Sequence, residues 1–211
     1  QGDWSSDVCS SDLLTQPGGI MTQEVLKTVC GMDLNNVNTQ MALQCAPLIA
    51  GIKISNLFII DNSSIQDALY AFKKYKLSYY FLLRTAKKTT FLLYDRDGLE
   101  NYLRDESVSE LLGQMGYGSN GLMDSLRLFR TRYRQYASEN KGFPHELGLF
   151  LGYPPEDVAG FIKNAGENAI YTGYWKVYAN LPAKLKLFGL YERARETMIM
   201  LVAKGLEDFH E

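Results

Sequence analysis

The sequence predicts an α+β fold: a small antiparallel sheet including a β-hairpin at about 79–94, packed with several helices and followed by a helical C-terminal half. Three observations carry this. Tyr79–Arg84 and Thr89–Tyr94 are largely apolar runs rich in aromatics, separated by Thr85-Ala-Lys-Lys88, the pattern of a hairpin. Leu122, Leu126, Phe129, Tyr133 and Tyr136 step by four, three, four and three, which is one face of a long helix. Leu187, Tyr191, Ala194, Met198 and Leu201 repeat a helical stripe near the C-terminus.

Taken in order, the first twenty residues stand apart. Asp3–Leu13 back-translates into the end of a common sequencing-library adapter, so 1–20 is expected to be an artefactual leader and 21–211 a single domain. Met21–Cys30 reads as a short helix stopped by Gly31. Asn35-Asn36 suggests a turn, with a helix over Thr39–Gln44. Ile54–Ile60 is expected as a strand. Ser64-x-x-Asp67 has the form of a capping box, and Ile65, Leu69 and Phe72 continue a helix that ends before Leu77. The hairpin is apolar on both faces, so its sheet is expected to be covered on both sides. Gly98–Arg104 and Ser107–Met115 read as short helices, Gly116–Gly121 as a flexible connection, and a final helix starts near Pro182.

Charge excludes some functions. The chain has 22 basic and 24 acidic residues; without Asp3, Asp7 and Asp12 the acidic count is 21, so no strong field for nucleic acid or an anionic membrane remains. No apolar run reaches the roughly 18–20 residues needed to span a bilayer. Beyond Cys9 the cysteines are Cys30 and Cys45, which suits reduced thiols in a cytoplasm rather than a disulfide framework.

The densest punctuation lies in Phe143–Ile162. Pro144 suits a helix start, Gly152 its left-handed stop, and Pro155 the start of a second helix with Glu156 and Asp157 at its positive end. Most of this describes a rigid helical corner. His145 and Glu146 would occupy a first helical turn, where the dipole depresses a histidine pKa and suits a base or ligand-binding group. A residue that merely caps the corner is the alternative. His145-Glu146 lacks the second histidine of a zinc-protease motif, because position 149 is Leu149, and no metal site is expected.

Cys45, ahead of Pro47, is a candidate nucleophile if helix N–H groups stabilise its thiolate, with His145 as base and Glu146 as orienting group. The plainer reading is a small buried side chain. Arg127, Arg130 and Arg134 share a helix face, with Arg132 nearby, and form either an anion site or a solvated face. In Gly173-Tyr-Trp-Lys-Val-Tyr178, Trp175 and Tyr178 either wall a planar ligand, with Lys176 engaging an anion, or close the core.

Cys45–Lys53, Phe143–Val158 and Gly173–Tyr178, in this order, resemble a bacterial family catalogued as domain of unknown function 3793, over roughly 21–206. The resemblance implies no activity and no cofactor. It suggests a redox or metal-homeostasis setting and a flavodoxin-like protein as partner. Three functions follow as expectations: a non-catalytic accessory or small-ligand-binding protein using His145, Glu146, Trp175, Lys176 and Tyr178; a thiol-dependent enzyme using Cys45 and His145; or an interaction module for a flavoprotein.

Overall fold

A three-stranded antiparallel sheet divides the protein's apolar residues into two cores. The structure is a computed structural model and describes residues 22–118, 121–139 and 142–206. Helices α1 (Gln23–Cys30) and α2 (Val37–Ile49) come first. Strand β1 (Ser55–Asp61) leads through a short 3-10 turn into α3 (Ile65–Lys74). The hairpin β2 (Ser78–Arg84) and β3 (Lys88–Tyr94) follows, then α4 (Arg96–Arg104), α5 (Glu106–Gln114) and α6 (Leu122–Glu139). The rest comprises α7 (Leu147–Phe150), α8 (Pro155–Lys163), a ribbon of β4 (Tyr171–Thr172) and β5 (Lys176–Val177), and α9 (Leu181–Ala203).

The sheet order is β1-β3-β2, so the hairpin's second strand is central and Phe91 stands opposite both Phe58 and Phe81. Period-two alternation sends Leu92 and Tyr94 to one face, Phe91 and Leu93 to the other. On the first face they join Leu126, Phe129, Phe150, Trp175 and Phe188. On the second they meet Met41, Cys45, Phe58 and Phe72. The covering of both faces is thus as the apolar hairpin implied.

One helix serves both cores. Helix α9 is 23 residues long, about 34 Å at the helical rise. It gives Phe188 and Tyr191 to the first core and Met198 and Ile199 to the second. Beside the sheet, β2 has a bulge between Phe81 and Leu83, so Leu82 and Leu83 both pack toward the first core.

Several local expectations change. Helix α2 runs through Pro47 to Ile49, past the expected end at Gln44, and the Pro47 carbonyl accepts from Ile52 N and Lys53 N, closing the turn beyond it. Ser64 precedes α3 but makes no side-chain cap hydrogen bond; the capping-box reading fails because Asn62–Ser64 already forms the 3-10 turn. Side-chain caps are made instead at other helices, where Thr22, Asn36, Asp95 and Asp105 accept from Val25 N, Asn38 N, Gly98 N and Ser107 N. The middle of the expected Gly116–Gly121 connection, like residues 1–20, lies outside the described residues. Gly173–Trp175 forms the bend between β4 and β5.

Candidate functional site

The helical corner is present, with one shift that moves its polar residues. Gly152 holds φ +71°, and a Cβ there would lie 2.6 Å from Ile54 Cγ1, so glycine is required both by conformation and by space. Pro155 begins α8 with Glu156 and Asp157 in its first turn. Helix α7, however, starts at Leu147, so His145 and Glu146 form the turn before it instead of its first turn.

That turn sends the two side chains apart. His145 is exposed, its ring 5.8 Å from both Phe143 and Phe161. Partial burial against these rings lowers its pKa, while the Glu146 charge opposes the shift. Glu146 is only 4 % exposed and points inward. Its Oε1 accepts from the Tyr117 hydroxyl and from Arg132 Nη1, each at 3.1 Å. The Arg132 guanidinium also lies 5.0 Å from the centre of the Tyr117 ring. Burial, and then the Glu146 charge, raise the Tyr117 pKa, keeping this phenol a proton-bearing donor. Glu146 therefore clamps Tyr117 and Arg132 together and does not orient His145.

Cys45 is fully buried in the second core, in the later half of α2, where backbone carbonyls rather than N–H groups lie ahead. Burial pushes its thiol up to about 12, with Lys53 and the Asn56 amide opposing this. Asn56 Nδ2 sits 3.8 Å from the sulfur and 2.9 Å from Gln44 O, and Asn56 Oδ1 accepts from Lys53 Nζ at 2.6 Å. His145 packs beyond the first core, on the far side of the sheet. The structure does not assemble a Cys45–His145 pair, and the depressed thiol pKa expected from helix N–H groups is reversed.

The aromatic cluster is occupied as well. Trp175 is 3 % exposed, stacks on Tyr153 with centroids 4.8 Å apart, and meets Phe188 edge-on. Its Nε1 donates to Asp157 Oδ2 at 2.8 Å, while Tyr178 N and Ala179 N donate to Asp157 Oδ1 at 2.8 and 3.1 Å. Asp157, with no exposed surface, is thus the hub that fastens the β4–β5 ribbon to α8, with Lys184 Nζ 3.8 Å away. Sequence reading placed Asp157 only at a helix end. The available signal was a buried indole N–H, which needs an acceptor. Lys176 Nζ donates to Gly166 O at 3.0 Å and lies 5.9 Å from the Phe161 ring centre. Phe161 is thus a shared neighbour of His145 and Lys176. Tyr178 packs over Gly160, where a Cβ would come within 2.5 Å of the Tyr178 Cβ.

The arginines of α6 are likewise committed. Arg127 pairs with Asp124, Arg130 lies over the Tyr80 ring, and Arg134 Nε donates to Leu82 O at 2.8 Å while facing the Phe81 ring. With Arg132 on Glu146, no shared anion site forms.

A cleft of about 510 Å³ opens between α4, α5 and the start of α6. Leu103, Leu112, Leu122 and Tyr117 supply apolar walls; Glu100, Arg104, Ser109 and Ser125 supply polar groups. Its volume falls within the usual range for small-molecule sites. Among the described residues, no group of three or more His, Cys, Asp or Glu side chains could hold a metal ion. No helix among them is long and apolar enough to cross a membrane.

A family model described as "Protein of unknown function (DUF3793)" matches residues 41–209. The chain belongs to this family. The match covers the Cys45–Lys53, Phe143–Val158 and Gly173–Tyr178 segments, whose side chains the structure places chiefly in the cores and in the corner. Neither a curated protein nor a solved structure matches the chain. Within DUF3793, as represented by this member, the motifs that mark the sequence are thus mainly those that hold the fold. The cleft draws on four separate stretches between them.

Proposed function

We propose that this DUF3793 protein is a non-catalytic small-ligand-binding protein whose ligand occupies the cleft between α4, α5 and α6. The observation that carries this reading is the cleft itself: about 510 Å³, with polar and apolar surface in nearly equal measure, and lined by neither cysteine nor histidine. Tyr117 forms part of its wall and is held from behind by Glu146 and Arg132, so that wall is set before any ligand arrives. The reading keeps the accessory or ligand-binding role expected from sequence and relocates its site away from Trp175, Lys176 and Tyr178.

Fragment screening by amide NMR on the full chain tests it. Hits are expected to shift the amides of Leu112, Tyr117 and Leu122 together. Hits that map instead to the His145–Phe161–Lys176 surface, or a screen without hits, would overturn the assignment.

A further inference from the structure

The ionised groups lining the cleft are Glu100 and Arg104, and they are paired with each other at 2.6 Å. They lie one helical turn apart in α4 with the glutamate N-terminal, the favourable order for such a pair. An incoming anion that reaches Arg104 meets the Glu100 carboxylate beside it, and an incoming cation meets the guanidinium. Neither sign of charge gains from entry. Beside the pair, Leu103, Leu112 and Leu122 line the cleft with apolar surface about equal to its polar surface, enough to reward the apolar part of a ligand.

The uncharged polar groups complete the description. Ser109 Oγ donates to Glu106 O at 3.2 Å, which leaves its oxygen as an acceptor for a ligand. Ser125 adds a second hydroxyl, a group that can donate or accept, to the lining. Tyr117 contributes only its surface, because its hydroxyl is engaged by Glu146 and its ring by Arg132 and Phe150.

We infer that the cleft takes an uncharged molecule with an apolar body and a small head that both donates and accepts, such as an amide, alcohol or neutral amine, and that Glu100 is the residue that turns anions away by holding Arg104. This rests on the ligand-binding reading above, and it departs from the anionic ligand expected around Lys176.

Two dyes sharing one skeleton test it. N-phenyl-1-naphthylamine is neutral with a single N–H; 8-anilino-1-naphthalenesulfonate is the same molecule with an added sulfonate. On the full chain, the neutral dye is expected to bind one per protein, and the sulfonate at least about tenfold more weakly. Glu100→Gln is expected to strengthen sulfonate binding about fivefold while leaving the neutral dye unchanged. Leu122→Trp and Ser125→Phe, each checked for native circular dichroism, are expected to abolish binding of both. If the neutral dye fails to bind, or binds these two filled variants as well as the parent, the ligand-binding cleft itself is overturned. If both dyes bind the parent equally and the filled variants block them, the cleft stands and its preference for uncharged ligands falls. A Glu100→Gln protein with unaltered sulfonate affinity would overturn the role given to Glu100.

Discussion

Asp157 and Glu146 each gather several donors onto one buried carboxylate, although Lys184 beside Asp157 also reaches Glu156 Oε1 at 2.6 Å. Replacing Asp157 by Ala leaves Trp175 Nε1, Tyr178 N and Ala179 N without their acceptor and removes a countercharge from buried Lys184. Urea unfolding is expected to show a loss of about 3–5 kcal/mol, the range for stripping one partner from a buried charged network. Glu146→Gln keeps an oxygen for Tyr117 but withdraws the charge facing Arg132, so a smaller loss of about 1–3 kcal/mol is expected. Cys45 makes a prediction about pH. Its folded pKa, about 12, lies above its ordinary value of 9.0, so folding favours the protonated thiol. The stabilisation is complete below pH 9 and disappears as pH rises from there through about 12. The parent minus Cys45→Ala stability difference is therefore expected to be flat below pH 9 and to fall above it, measured by denaturant titration. Consistent with this burial, iodoacetamide and peptide mass mapping should find Cys30 alkylated and Cys45 untouched in the native protein. At this scale the sequence allowed two readings of Cys45, and the small buried side chain is the one the structure shows. Its position before Pro47 suggested a helix boundary, whereas the helix continues through the proline.

Among the elements, those with a local signal were the legible ones. The hairpin declared itself through two apolar runs around Thr85–Lys88, and α6 and α9 through their stripes, because periodicity is set by the element's own geometry. Gly152 and Pro155 marked the helical corner because each is needed where it stands. The start of α7 was misplaced by the usual preference for proline at a first helical position; here Pro144 instead precedes a turn. The cleft was not legible at all, since Leu103, Leu112, Tyr117 and Leu122 meet only after α4, α5 and α6 have packed. The arginines of α6 show how an element's environment reassigns its residues. Arg134, which looked available to an anion, satisfies the carbonyl of the bulged residue Leu82 on an edge strand. Arg134→Ala is expected to cost about 1 kcal/mol, read by chemical denaturation, and to increase self-association on size-exclusion chromatography because the edge carbonyl is freed.

Across the whole molecule, the sheet makes the two cores depend on each other. Leu92 and Phe91 are adjacent on β3 yet belong to different cores, so neither core can loosen without disturbing the strand that serves the other. A single cooperative transition is expected. Fluorescence of Trp175, followed in a Trp4→Phe chain, and alkylation of Cys45 should report the same denaturant midpoint from opposite faces of the sheet. Helix α9 adds a consequence for the order of synthesis. It follows every other described element in the chain, yet Phe188 and Tyr191 are needed to close one core and Met198 and Ile199 the other. Until the ribosome has released these residues, the emerging polypeptide carries a sheet whose two apolar faces are both incompletely covered. Closure of both cores is therefore completed only once α9 has been made, and the nascent chain is at its stickiest just before α9 emerges.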